Sequence, residues 1–200
     1  MSFSIIYRSI VLYRLIMGLL YRGRYRARFG PVTDLIRESD QCVLELCFGD
    51  VVVAETCRRL GVNWVGLDVS PAFVQHALRS GYDARQADLL RGAPLPTCDL
   101  CVMMGSLYHF ESCLSELFTR IKRASKRFVI SEPIQNWTSG RGIRRCLAIA
   151  LTRASNRPQA FRFTETTLLQ TLDRLSREVG FEYRVVSMSR DMVVEVIWSM

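Results

Sequence analysis

The run Cys42-Val-Leu-Glu-Leu-Cys-Phe-Gly-Asp50 limits what this chain can fold into more than any other segment. It is apolar at nearly every position from Cys42 to Cys47 and then breaks at Gly49. A strand apolar on both faces belongs inside a parallel sheet with helices above and below it. A second apolar run, Trp64-Val-Gly-Leu-Asp68, ends on a carboxylate 19 residues after Gly49. Strand, glycine turn, helix and a second strand closed by an acid is the order that builds a nucleoside pocket. The turn lets backbone approach a ligand, and the acid accepts from two ribose hydroxyls.

The pattern continues along the chain. Asp50–Leu60 reads as a helix stopped by Gly61, and Ser70-Pro71 as the start of another, with serine at the N-cap and proline in the first turn. Further strands are expected at Tyr82–Gln86, Leu100–Met104 and Arg127–Ser131, with a helix over Ser112–Arg123. Thr164 starts a helix reaching Gly180, and Tyr183–Met188 and Met192–Trp198 are joined by so short a turn that they must pair antiparallel. At 200 residues the chain can bury one core, so a single domain over 1–200 is expected. Its parts are a basic amphipathic helical cap (1–33), a core (41–132 and 164–200) and a basic insert or lid (133–163).

Charge is distributed unevenly. Residues 1–33 hold six arginines and no acid, and residues 133–164 again hold six and none, so the rest of a chain of net charge +8 is mildly acidic. The apolar stretches Ile5–Leu20 and Ile143–Leu151 lie in these same segments. On a helical wheel Arg8, Arg14, Gly18 and Arg22 share one narrow face of the first, and apolar residues cover the rest, a face wide enough to need burial in protein or lipid. No segment reaches the roughly 18 uninterrupted apolar residues of a spanning helix. Seven cysteines, an odd number, with Cys42, Cys47 and Cys101 inside strand-like runs, read as small buried hydrophobes. Cys98 and Cys101 have the spacing of a metal pair but lack a second pair, so no metal is expected. These features point to a cytoplasmic protein with peripheral contact to an anionic membrane surface. The chain has no recognisable RNA-binding module, and nucleic acid is not an expected partner.

From residue 42 to residue 198 the sequence resembles the class I S-adenosylmethionine-dependent methyltransferases. Val43-Leu-Glu-Leu-Cys-Phe-Gly-Asp50 is similar to the family's first motif, Gly66-Leu-Asp-Val-Ser70 to its second, Gln86-Ala-Asp-Leu89 to its third and Cys101-Val-Met-Met-Gly-Ser-Leu-Tyr-His109 to its fourth. The resemblance implies an α/β, Rossmann-like three-layer sandwich with a seven-stranded, mostly parallel sheet. An antiparallel C-terminal hairpin strand and an N-terminal amphipathic helix complete it. It also implies S-adenosyl-L-methionine as cofactor. Asp68 would take the ribose hydroxyls, and Val69 would pack on adenine. Asp88 would face the adenine amino group, with Leu89 beside the ring. Glu45, Cys47, Gly49 and Asp50 would hold the methionine end, with Met104 in the fourth motif completing the set. His109, Tyr108 and Glu132 would line the acceptor side as catalytic candidates; His76, mid-helix, is read as structural or exposed.

The implied activity is methyl transfer to a small-molecule or lipid-like, anionic acceptor at oxygen. Two departures bear on it: Cys47 stands where the first glycine of the turn is usual, and Val51, expected inside the following helix, stands for the third. They motivate an alternative, a catalytically silent or non-methylating cofactor-binding protein, scaffold or cyclase-like, with the same fold. Oligomeric state is left open by the sequence.

Overall fold

A computed structural model describes residues 9–134 and 161–199. The apolar runs assemble into one seven-stranded sheet of β1 (Cys42–Leu46), β2 (Asn63–Asp68), β3 (Asp83–Gln86), β4 (Cys98–Met104), β5 (Ser125–Pro133), β6 (Phe181–Met188) and β7 (Asp191–Trp198), in the order β3-β2-β1-β4-β5-β7-β6. The first five strands are mutually parallel, with Leu44 opposite both Val65 and Cys101. β7 runs antiparallel between β5 and β6, with Val129 opposite Glu195 and an irregularity in β6 between Val185 and Ser187. This is the Rossmann-like architecture expected from the sequence, terminal hairpin included.

Side-chain alternation along the strands sorts the helices into two layers. Leu44, Leu46, Cys101, Met103, Phe128 and Ile130 share one core with α5 (Leu114–Ala124) and α6 (Glu165–Leu175). Val43, Leu100, Val102 and Val129 share the other with α2 (Gly30–Thr33), α3 (Val52–Leu60) and α4 (Pro71–Arg79). An N-terminal helix, α1 (Ile10–Leu20), lies on this second side through Ile10, Tyr13 and Met17. Local signals hold these boundaries. Ser70 caps α4 by accepting from the Phe73 amide, and Thr164 and Thr167 form a reciprocal cap on α6. At the end opposite the turn, buried Arg127 of β5 donates to both oxygens of Asp40 at 2.9 and 2.7 Å and to Glu195 of β7 at 2.9 Å.

Several boundaries differ from expectation for identifiable reasons. α3 begins at Val52, not Asp50, because the Asp50 carboxylate accepts from the Val51 amide and holds Val51 outside the helix, at its N-cap. The helix expected from Ser112 is preceded by a 3-10 turn, Leu107–Cys113, that carries the chain off β4. α6 ends at Leu175 and gives way to a wider turn, Ser176–Gly180, whose Val179 and Gly180 carbonyls accept from Lys122 Nζ at 3.0 and 2.9 Å. α1 is not buried on the scale its sequence suggested: none of its residues is fully buried, and Val11, Leu15 and Leu19 are exposed. Residues 5–8 of the expected helix, the apolar stretch Ile143–Leu151 and most of the insert 133–163 lie outside the described residues.

Candidate functional site

The site begins where β1 leaves the sheet. Cys47 donates its amide to the Leu67 carbonyl at 2.7 Å, and the chain then turns through Phe48 and Gly49. Cys47 has φ +54° and Gly49 φ +59°, so both occupy the left-handed region. Glycine enters that region freely; a residue with a Cβ pays roughly 1–2 kcal/mol there. The turn therefore keeps the conformation of a glycine loop although a cysteine occupies its first position. By this reasoning Cys47→Val, which adds β-branching at positive φ, should lower stability by about 2 kcal/mol relative to Cys47→Gly. Urea denaturation of the two variants checks this.

Asp68, at the tip of β2, is bonded to that turn. Its Oδ2 accepts from the Gly49 amide at 3.2 Å and its Oδ1 from the Ser70 amide at 2.8 Å. Each oxygen keeps a lone pair for a further donor. Burial raises the carboxyl to about 6, partly offset by these amides. Val69 is half-buried, and its carbonyl accepts from Gln86 Nε2 at 3.1 Å. Asp88 follows β3 and caps a short turn through the Leu90 amide at 3.1 Å. Its neighbour Leu89 is turned into the core shared with α5.

Glu45, inside β1, is fully buried. Its Oε2 accepts from the Trp64 indole at 2.9 Å, and its Oε1 has no hydrogen-bond partner. Burial pushes its carboxyl well above the usual range. Asp50 is engaged by its own chain: Arg14 of α1 grips it through two bonds, at 3.0 and 2.7 Å. The residue expected to hold a ligand is thus occupied by a helix of its own chain. Arg14 also approaches His76 Nε2, at 3.4 Å, which places His76 against α1.

The tips of β4 and β5 form the other half. Met104 ends β4 and is buried on the side of α2–α4. Glu132 on β5 is buried, with Oε2 accepting from the Leu107 amide at 3.1 Å and Oε1 unpartnered. It thereby anchors the turn that carries Tyr108 and His109, whose rings lie 4.0 Å apart. Arg162 stacks over Tyr108 at 3.8 Å. Burial raises Glu132 to about 8, with Arg162 and Arg28 opposing.

Sequence reasoning missed what the N-terminal segment brings. A Cβ on Gly49 would stand 2.9 Å from the Tyr13 hydroxyl, so Tyr13 of α1 packs directly on the turn. Arg28, its side chain 6% exposed, sits 3.0 Å from Asp191 and stacks on Tyr21 at 4.7 Å. Its Nη2 has no partner and lies 3.0 Å from where a Cβ on Gly105, beyond the tip of β4, would be. A buried guanidinium donor without an acceptor is costly, and such groups mark places where a ligand completes the bonding. The acid-free arginine run was the available signal, but it does not say which arginine turns inward.

No family model matches the chain, and a search of curated proteins finds no match. Many solved structures do match its fold. The mitomycin 7-O-methyltransferase aligns at TM-score 0.65 with 12% identity, over 94% of this chain and 57% of its own. Human N-acetylserotonin methyltransferase, solved with S-adenosylmethionine, aligns at TM-score 0.65 with 18% identity, over 98% of this chain and 58% of its own. Magnesium protoporphyrin IX methyltransferase from Synechocystis, solved with S-adenosylhomocysteine, aligns at 0.64 with 13% identity, over 89% and 85%. The chain thus spans 57% and 58% of the length of the first two. With β7 inserted antiparallel beside β5, and a glycine-type turn bonded to the acid at the tip of β2, the chain has the fold of the class I S-adenosylmethionine-dependent methyltransferases.

Proposed function

We propose that the protein binds S-adenosyl-L-methionine and transfers its methyl group to the oxygen of a small, lipid-like and anionic acceptor met at an anionic membrane surface. The observation that carries this reading is the bond between Gly49 and Asp68. It couples the turn to a carboxylate that still has lone pairs for two ribose hydroxyls. The unpartnered polar atoms fit the rest of the cofactor: Glu45 Oε1 suits its ammonium and Arg28 Nη2 its carboxylate. Val69 and Asp88 would border the adenine, and Cys47, Gly49 and Met104 would line the space between. Asp50, held by Arg14, and Leu89, turned into the core, would act only by shaping that wall.

The cofactor supplies an electrophilic methyl group, so the protein's task is alignment and proton management. His109 would take the proton that the acceptor oxygen gives up. Glu132, raised to about 8, is protonated at neutral pH and donates from Oε1 to orient the acceptor. Tyr108, stacked under Arg162, forms a flat wall beside them.

Calorimetry with S-adenosylhomocysteine tests the cofactor assignment. Arg28→Met should weaken its binding about 10- to 150-fold, the worth of one charge-assisted hydrogen bond. It should leave the binding of adenosine, which lacks the carboxylate, unchanged. No binding of S-adenosylhomocysteine to the wild type at high micromolar concentration would overturn the reading. The packing of Tyr13 against Gly49 favours one second reading, a cofactor-binding protein without methyl transfer, because the close approach glycine offers a ligand is already occupied. Tight binding with no turnover across a broad acceptor panel would support it.

A further inference from the structure

The outward face of α1 carries an apolar stripe that the fold does not use. Val11, Leu15 and Leu19 recur every four residues and are 73%, 61% and 69% exposed. Residues spaced this way share one side of a helix. The helix cannot roll this side inward, because the opposite side is engaged: Ile10, Tyr13 and Met17 pack on the domain and Arg14 is bonded to Asp50. The other exposed large apolar residues among the described ones lie on separate elements, at Leu78, at Leu90 and along the β6–β7 hairpin.

From these observations we infer that the Val11–Leu15–Leu19 face of α1 is a docking surface for an anionic phospholipid bilayer. The inference rests on the reading that the chain works at an anionic surface, and it names the part that makes the contact. α1 has 11 residues and spans about 16 Å, too short to cross a bilayer but suited to lie in the plane of its interface. Among the described residues no helix is long and apolar enough to cross a membrane. The chain leaving α1 exposes Arg22, Arg24 and Arg26, and residues 1–33 contain no acid, so the surface beside the stripe attracts anionic headgroups. Of these, Arg26 shares its charge with Glu55.

Charge also separates lipid from the other occupants. The apolar stretch Ile143–Leu151 lies in a segment with six arginines and no acid, so its approach to α1 would bring cation to cation. A second copy would bring the same positive collar. An anionic bilayer takes up the apolar stripe and the arginines together.

Flotation of the full chain with vesicles tests this. The wild type should float with phosphatidylglycerol–phosphatidylcholine vesicles and bind about tenfold less to phosphatidylcholine alone, or in about 0.5 M salt. The triple variant Val11→Ser, Leu15→Gln, Leu19→Gln should lose about tenfold in vesicle binding, with S-adenosylhomocysteine affinity within about twofold of wild type. Calorimetry therefore reads the cofactor assignment separately from flotation. Equal recovery of wild type in the soluble fraction with both vesicle types would overturn the inference, as would a triple variant that floats like wild type. A triple variant that turns a dimer into a monomer by light scattering would show that a second copy covers the face. One that melts about 5 °C or more lower would show that the chain itself covers it. Either result also overturns the inference.

Discussion

Asp68→Ala is expected to lower affinity for S-adenosylhomocysteine by about 100-fold or more. Hydrogen bonds to an ionised carboxylate contribute about 1.5–3 kcal/mol each, and losing two exceeds the roughly 2.8 kcal/mol that corresponds to that factor. Alanine also deprives the Gly49 and Ser70 amides of their acceptor, so part of the loss would come from a loosened turn. Asp68→Asn separates the two effects. It keeps an oxygen for one amide and removes the charge, and a loss of about tenfold would remain. The pH dependence follows from the same group. Its folded value, about 6, lies above the ordinary 3.8, so the unliganded protein holds this proton more tightly than the unfolded chain. That contribution to stability is full below about pH 4 and is lost as pH rises through about 6. Ligand hydroxyls favour the ionised form, so affinity should fall as pH drops below about 6 in the wild type and stay level in Asp68→Asn. Calorimetric titrations across that range read both slopes, and equal pH profiles for the two proteins would refute the assignment of Asp68.

Gly66→Ala is expected to destabilise the fold by about 4 kcal/mol. A Cβ at this position would stand 2.1 Å from Cη2 of Trp64 and 2.7 Å from Cδ1 of Phe48. The Trp64 indole is fixed from both sides: its Nε1 donates to buried Glu45 at 2.9 Å, and Phe48 meets it edge-on with ring centroids 5.3 Å apart. Moving it to admit a methyl group costs about 1–3 kcal/mol of overpacking. It also strands a second oxygen of Glu45 without a donor, for about 1–3 kcal/mol more. A total near 4 kcal/mol is a large share of a domain's stability, and it should lower the melting temperature by roughly 10 °C. Calorimetric melting of purified protein measures it. Trp64→Phe in the same background should recover part of the loss by removing the ring that the methyl group meets; no recovery would place the strain elsewhere.

The parts legible in the sequence were those written in local pattern. β1, β2, β4 and β5 announce themselves as apolar runs, the capped starts of α4 and α6 as Ser70-Pro71 and Thr164, and the turn as Gly49. Asp68 lies near the turn in sequence and is bonded to it in the fold, so motif spacing was enough to bring the two together. The N-terminal contribution was not legible, because its contacts join distant residues. Arg14 reaches Asp50 over 36 positions, and Tyr21 reaches Asp191 over 170, at 2.9 Å. Nothing in the periodicity of α1 distinguishes a side that binds Asp50 from one left bare. Val51 was misplaced by one residue for a related reason: the Asp50 side chain captures the next amide, and composition does not report that.

The insertion of β7 between β5 and β6 also sets when the edge of the growing sheet is covered. β1 to β5 emerge from the ribosome first and pair with one another, but β5 then presents an unpaired edge to water. Among the described residues no strand before residue 181 pairs with this edge, and β6 reaches β5 only through β7. Until residues 191–198 arrive, Arg127 has Asp40 but lacks Glu195, and the nascent sheet carries an open strand able to pair with another chain. The turn at Gly49 and its partner Asp68 lie entirely in the portion made early. During synthesis that turn and Asp68 are thus made well before the edge of the sheet is protected from aggregation.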